Sequence, residues 1–211
     1  YEAHVVEPRQ TVKLGSFSVQ FIRVNHSIAG AYALAITCPA GTVVATGDFK
    51  IDFTPATGEV TDLSALAAIG ERGCLALMSD STNVERTGYT MSERKVAETF
   101  NQQISTAAGR VIIAMFASNI HRVQQVADCA IGYGRKICFI GRSMINTSTV
   151  AMDLGYLNIP RDSLIEMDDL DRYRDDQILV ITTGSQGEPM SGLTRMAFAE
   201  HRRLQIKQSD K

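Results

Sequence analysis

The sequence predicts an α/β fold in two parts, a small antiparallel β-layer followed by a mainly parallel sheet flanked by helices. Three observations carry that prediction. Short apolar pieces at 18–24, 31–37 and 42–46 are separated by turn residues, the texture of an antiparallel layer. From about residue 61 the pattern changes to strand-then-helix alternation, which implies parallel strands covered by helices on both faces. A chain of 211 residues with 45% hydrophobic and 21% charged residues suits one large folded domain or two small ones, which excludes disorder, collagen and coiled coil.

Taken in order, Ser18 to Val24 is the first strand and Ala31 to Thr37 the second. Pro39-Ala40-Gly41 then reverses the chain into Thr42 to Thr46, because Pro and Gly supply the backbone angles a hairpin needs. Buried parallel strands are expected at Cys74 to Ser79, Arg110 to Phe116, Lys136 to Ile140 and Gln177 to Thr182. Thr90 with Glu93 has capping-box spacing and opens a helix through Ile104. Ser118 is placed to cap a helix through Ile131, and Ser143 one through about Leu154. The acidic stretch Glu166 to Asp176, broken by Arg172 and Arg174, reads as a solvated helix and turn. There is no internal repeat and no low-complexity segment.

Several function classes drop out early. The longest apolar stretches, such as Ala31 to Cys38, fall far short of the roughly 20 residues that span a bilayer, so a cytoplasmic protein without a membrane partner is expected. A net charge of −2 argues against a strongly basic nucleic-acid clamp but leaves room for a local basic groove. Cys38, Cys74, Cys129 and Cys138 sit in apolar segments with no C-x-x-C spacing, so they read as reduced core residues. Neither the phosphate-loop nor the dinucleotide glycine fingerprint follows a strand, which disfavours a nucleotide-cofactor enzyme.

Chemistry concentrates in polar loops after the expected strands: 79–83, 117–122, 141–144 and 183–188. In open α/β sheets ligands bind outside the carboxyl ends of the strands, and helix N-termini with small hydroxyl and Gly residues face anions there. Ser81, Ser118, Asn119, Arg122, Arg142, Ser143, Ser185 and Gln186 are the candidates, the arginines supplying charge-assisted bonds to phosphate. The plain alternative for each loop taken singly is helix capping. His26 and Asp48 each follow a strand and are ligand types suited to a divalent ion, although two ligands do not make a site. His4 and His201 look like surface residues, and His121, in a helix's first turn, is open between the two readings.

These segments also carry a family resemblance. Asn25-His26-Ser27-Ile28, Ala45-Thr46-Gly47-Asp48-Phe49-Lys50-Ile51-Asp52 and Ser79-Asp80-Ser81-Thr82-Asn83 resemble the ribonuclease J family, metallo-β-lactamase-fold nucleases with a β-CASP insertion. Residues 116–122, 141–144 and 183–190 are similar to the family's β-CASP portion in the same order. The resemblance implies part of a metallo-β-lactamase αββα domain at 1–60, followed by a β-CASP domain at 61–211 truncated on its C-terminal side. It makes His26 a metal ligand, Asp48 a catalytic carboxylate bridging two ions, and Asp80 an acidic catalytic residue beside them. Ser118-Asn119, Gly141-Arg142-Ser143 and the 183–188 loop would lie near the RNA, with Arg122 and Arg142 on phosphates.

What the resemblance implies for activity is a ribonuclease that degrades and processes RNA from a 5′ end and also cuts internally, using two divalent ions, zinc or manganese. Its partner would be single-stranded RNA, and the intact protein would be a homodimer. The family's H-x-H-x-D-H motif is absent, and so are its two later histidine motifs. With Tyr1 in place of Met, the chain is therefore expected to be an internal, catalytically incomplete fragment, since two ions about 3.5 to 4 Å apart need three or more ligands each. The alternative is a non-catalytic β-CASP module that binds RNA or protein. A small-substrate hydrolase of the same fold is disfavoured by the long α/β insertion. At Ala29 and Thr87 the chain departs from the family's expected proline.

Overall fold

The computed structural model describes residues 3–55, 59–201 and 203–211. They divide into two compact units, one of Tyr1–His26 with Gly30–Glu93, the other of Ser27–Ala29 with Arg94–Lys211.

The first unit is a five-stranded sheet in the order β1 (Thr11–Leu14), β2 (Phe17–Arg23), β3 (Tyr32–Cys38), β4 (Gly41–Ala45) and β5 (Ala76–Met78). β1 to β4 form an antiparallel meander, and its β3–β4 hairpin pairs Cys38 with Gly41 across the expected Pro39-Ala40 reversal. β5 differs from expectation. It belongs to this sheet, lying parallel to β4 with Ala45 opposite Met78, and not to the later parallel sheet. β1 was not apparent from the sequence, because four mostly exposed residues ahead of Gly15-Ser16 give little periodicity. Helix α1 (Leu63–Arg72) also lies outside the expected elements; its Asp62 cap accepts the Ala65 amide, and it covers Ile22, Val24, Ala33, Ala35 and Val44 with Ile69, Leu66 and Ala65.

The second unit centres on a parallel sheet in the order β6 (Val111–Ala114), β8 (Ile178–Thr182), β7 (Lys136–Ile140). β8 is buried along its whole length, so its sequence runs apolar from Ile178 to Ile181 rather than alternating. Leu179 and Ile181 face a core shared with Ile104 of α2 (Glu93–Ser105), with α3 (Ile120–Gly132), and with Met144 and Ala151 of α4 (Arg142–Asp153). Ile178 and Val180 face a second core with Leu170, Leu204 and Met196 of α5 (Gly192–Ala197). Helices thus cover one face, while three-ten turns and a short helix cover the other. The acidic stretch, expected as a solvated helix, forms the turns Met167–Arg172 and Asp175–Gln177 and buries Leu170.

Helix starts differ from the expected caps. α2 begins at Glu93, whose amide is accepted by the buried Asp52 carboxylate at 3.0 Å, so Thr90 is not its cap. α3 is capped by Asn119, one residue after Ser118, and α4 starts after Gly141 without a side-chain cap, leaving Ser143 within its first turn. The end of the chain is held to β6: Arg110 donates to both Asp210 oxygens at 2.8 and 2.6 Å, both side chains being buried, and Lys211 bonds the backbone of Arg110 and Ile112. Cys138 is buried, Cys38 and Cys129 are half-buried, and Cys74 is exposed, which corrects its reading as a core residue. No helix among the described residues is long and apolar enough to cross a membrane.

Candidate functional site

β2 and β4 are both antiparallel to β3, and β5 is parallel to β4, so the three strands run the same way and their carboxyl ends share one edge of the sheet. His26, Asp48 and Asp80 follow those three ends. The His26 loop is pinned by the Asn25–Lys50 bridge, with the Lys50 amide donating to the Asn25 carbonyl at 2.7 Å. The buried Thr61 hydroxyl accepts the Asn25 amide at 2.9 Å and donates to the Lys50 carbonyl at 3.1 Å, closing the same joint. His26 Nε2 consequently stands 3.7 Å from Asp48 Oδ2.

Asp80 is tied in from β5. Its amide donates to Thr46 Oγ1 at 2.9 Å, while its carboxylate accepts the Thr82 hydroxyl at 2.6 Å and the Thr82 amide at 3.0 Å. Those Thr82 bonds, then the Phe49 amide and the charge of His26, hold the Asp80 carboxyl below its ordinary range, so it is an anion at neutral pH. Ser81 is exposed in the same turn, its carbonyl accepting the Val84 amide at 3.0 Å.

The chemistry of this donor set is limited. An imidazole and one carboxylate within ion-pair reach are two ligands. Among the described residues no group of three or more His, Cys, Asp or Glu side chains is placed to hold a metal ion. The residues present therefore do not by themselves fit a two-ion centre, in which each ion needs three or more protein ligands.

In the second unit, the loops after β6, β7 and β8 lie at one edge because the three strands are parallel. Asn119 is buried, and its side-chain oxygen is spent on the Arg122 amide at 3.2 Å as the α3 cap. Ser118 is exposed, Arg122 half-buried, and Arg142 and Ser143 are exposed in the first turn of α4, whose leading amides have no side-chain cap. Ser185 and Gln186 are exposed at the tip of the third loop, where the Gln186 amide donates to Glu188 Oε2 at 3.1 Å. The base of that loop needs glycine: Gly184 has φ +117°, and a Cβ there would meet Ser191 Oγ at 2.5 Å. The structure thus gathers seven of the eight phosphate candidates on one sheet edge. The eighth, Ser81, belongs to the first unit.

Two contributors were missed from the sequence, Thr46 and Glu188. Thr46 stands in the sequence as a strand end and as a member of the 45–52 run with no role of its own, although a hydroxyl directly before Gly47-Asp48 is the available signal. Glu188 was read as part of a motif, with no hint that it folds back on its own loop.

Comparison with known proteins agrees with this division. Residues 108–211 match the family model described as ribonuclease J, beta-CASP domain. Over 206 residues the chain is 48% identical to ribonuclease J of Helicobacter pylori (strain ATCC 700392 / 26695), an alignment covering 98% of this chain and 30% of that protein. It is 46% identical to ribonuclease J of Corynebacterium glutamicum over 93% of the chain and 27% of the relative. For ribonuclease J of Thermus thermophilus the identity is 43% over 97% of the chain and 36% of the relative. In fold it is similar to a crystal structure of a protein of unknown function from Enterococcus faecalis V583, with TM-score 0.63, 15% identity, and 88% of this chain and 46% of that one covered. The chain spans about 30% of the length of the Helicobacter relative it matches. It belongs to the ribonuclease J family, and its residues 108–211 to that family's β-CASP domain.

Proposed function

We propose that this chain is part of a metal-dependent ribonuclease that degrades and processes single-stranded RNA from a 5′ end and also cuts internally. The observation that carries this reading is 48% identity to a ribonuclease J along 98% of the chain. The first sheet, β5 included, is then part of a metallo-β-lactamase domain, and His26 and Asp48 contribute to a two-ion centre, of zinc or manganese, that needs further ligands. Asp80 supplies a fixed negative charge at the same edge. Along the β6-β8-β7 edge, the first-turn amides of α4 with Arg142, Ser143, Arg122 and Ser118 receive phosphate, helped by the tip residues Ser185 and Gln186. The cytoplasmic setting and the homodimer of the intact protein are part of the same proposal.

Because the donor set is short, the 211-residue chain is expected to bind single-stranded RNA weakly, with strong salt dependence, and to cleave it not at all. The test is incubation of 5′-monophosphorylated single-stranded RNA with the chain, with manganese, zinc or chelator, beside Asp48→Ala. Metal-dependent cleavage abolished by Asp48→Ala would show that the chain completes a centre and would overturn the incompleteness argument. An absence of RNA binding at low salt would overturn the RNA reading for this chain. The second reading, a non-catalytic RNA- or protein-binding module, is favoured by the two-ligand count at His26 and Asp48.

A further inference from the structure

Thr46 lies at the carboxyl end of β4 and is 5% exposed. Its amide donates to the Met78 carbonyl at 3.0 Å, extending the β4–β5 ladder by one rung. Its hydroxyl accepts the Asp80 amide at 2.9 Å and donates to the Gly47 carbonyl at 2.7 Å. One buried oxygen therefore touches both loops that carry the acidic residues, the Gly47-Asp48 turn after β4 and the Asp80 turn after β5. We propose that Thr46 is a positioning residue whose hydroxyl fixes the Asp80 turn against the Asp48 turn, so that the two carboxylates are presented together. This rests on the functional reading above, in which Asp48 and Asp80 serve the reaction.

The chemistry calls for a hydroxyl in particular. A group bridging an N–H donor and a C=O acceptor must itself accept and donate at once, and among small side chains only Ser and Thr do so from one atom. Valine has nearly the same shape but would leave the Asp80 amide and the Gly47 carbonyl without that partner in a buried spot. The ladder bond from the Thr46 amide would survive, so β4–β5 pairing would persist while the turns beyond it separate. Asp80 would register the change through its carboxylate as well, since the Phe49 amide, next to Asp48, is one of the groups that keep it charged.

The experiment uses the ¹⁵N-labelled 211-residue chain and its Thr46→Val, Thr46→Ser and Asp80→Asn forms. In Thr46→Val the Asp80 amide should exchange with solvent about tenfold faster or more, as expected when a local hydrogen bond opens. The Phe49 amide signal should move toward its position in Asp80→Asn. Thr46→Ser should restore both. A change confined to packing at Thr46 would leave the Phe49 signal in place. The proposal is overturned if Thr46→Val leaves Asp80 exchange and the Phe49 signal unchanged, or if Ser fails to restore them. Should the valine form not fold, proton cross-relaxation between Thr46 and the Asp80 amide in the unsubstituted chain decides, and its absence sinks the proposal. None of these readouts needs RNA, so failure of the RNA reading and failure of the clasp are separate results.

Discussion

Asp62 shows how one residue serves two roles whose pH dependence can be worked out. Its carboxylate accepts two bonds from Arg9, at 2.7 and 2.9 Å, and also takes the Ser64 hydroxyl and the Ala65 amide as the α1 cap. The Arg9 bonds first, then Ser64 and Ala65, hold its carboxyl well below the usual range. The folded pKa is depressed, so the pair's contribution is present in full above the unfolded value of about 4 and is lost as pH falls from there toward the folded value. Asn at this position keeps a capping oxygen but loses the ion pair. Since Arg9 is more than half exposed, that loss is about 1 kcal/mol or less at pH 7. In urea titrations from pH 7 to pH 2, the stability gap between the chain and Asp62→Asn should narrow below about pH 4. A gap independent of pH would refute the assignment. None of this was legible in the sequence, because Arg9 and Asp62 are 53 positions apart. Arg135 is illegible for the same reason: its guanidinium is buried and donates to the carbonyls of Ala107, Gly109, Ile104 and Ile178, although Gly-Arg-Lys reads like a surface turn.

At the scale of elements, apolar patterning located β2, β3, β4, β6, β7, β8 and helices α2 to α4 to within a few residues, because burial imposes its period on the residues themselves. Partners and caps were less visible. β5 reads as a buried strand of the parallel sheet. Its partner is β4, and all three of its residues are exposed at the sheet edge, a circumstance no local pattern encodes. The first amide of α2 is satisfied by Asp52, 41 positions upstream, where capping-box spacing pointed to Thr90. For α3 the expected cap is Ser118, and the structure gives the bond to the next residue, Asn119. Asn119→Ala should therefore cost about 1 kcal/mol in chemical denaturation, within a range of about 0.5 to 2, whereas Ser118→Ala should be nearly neutral. If Ser118→Ala costs the more, the cap assignment is wrong. The pair also separates roles: on the proposed reading, a stability-neutral Ser118→Ala that weakens RNA binding marks a contact, while Asn119→Ala acts first through the helix.

For the molecule as a whole, the informative contrast is between a strand with cover on every side and one with almost none. β8 lies between two parallel neighbours and is buried on both faces, with Leu179 and Ile181 in one core and Ile178 and Val180 in the other. β5 is an edge strand of three residues, with Leu77 and Met78 each more than 60% exposed and Leu75, also exposed, just before it. Opening β8 requires disrupting both cores, so its amides should exchange only through global unfolding of the second unit, whereas β5 needs to break only its pairing with β4. Hydrogen exchange followed residue by residue should rank Val180 and Ile181 among the slowest amides and Leu77 and Met78 among the fastest in either sheet. The measurement belongs at two protein concentrations about fiftyfold apart, because an exposed apolar edge strand is a template for pairing with another chain. Slow exchange in β5 at the higher concentration alone would locate self-association at that edge, in line with the homodimer proposed for the intact protein. Slow exchange in β5 at both concentrations, in a chain that sedimentation shows to be monomeric, would contradict the exposed edge.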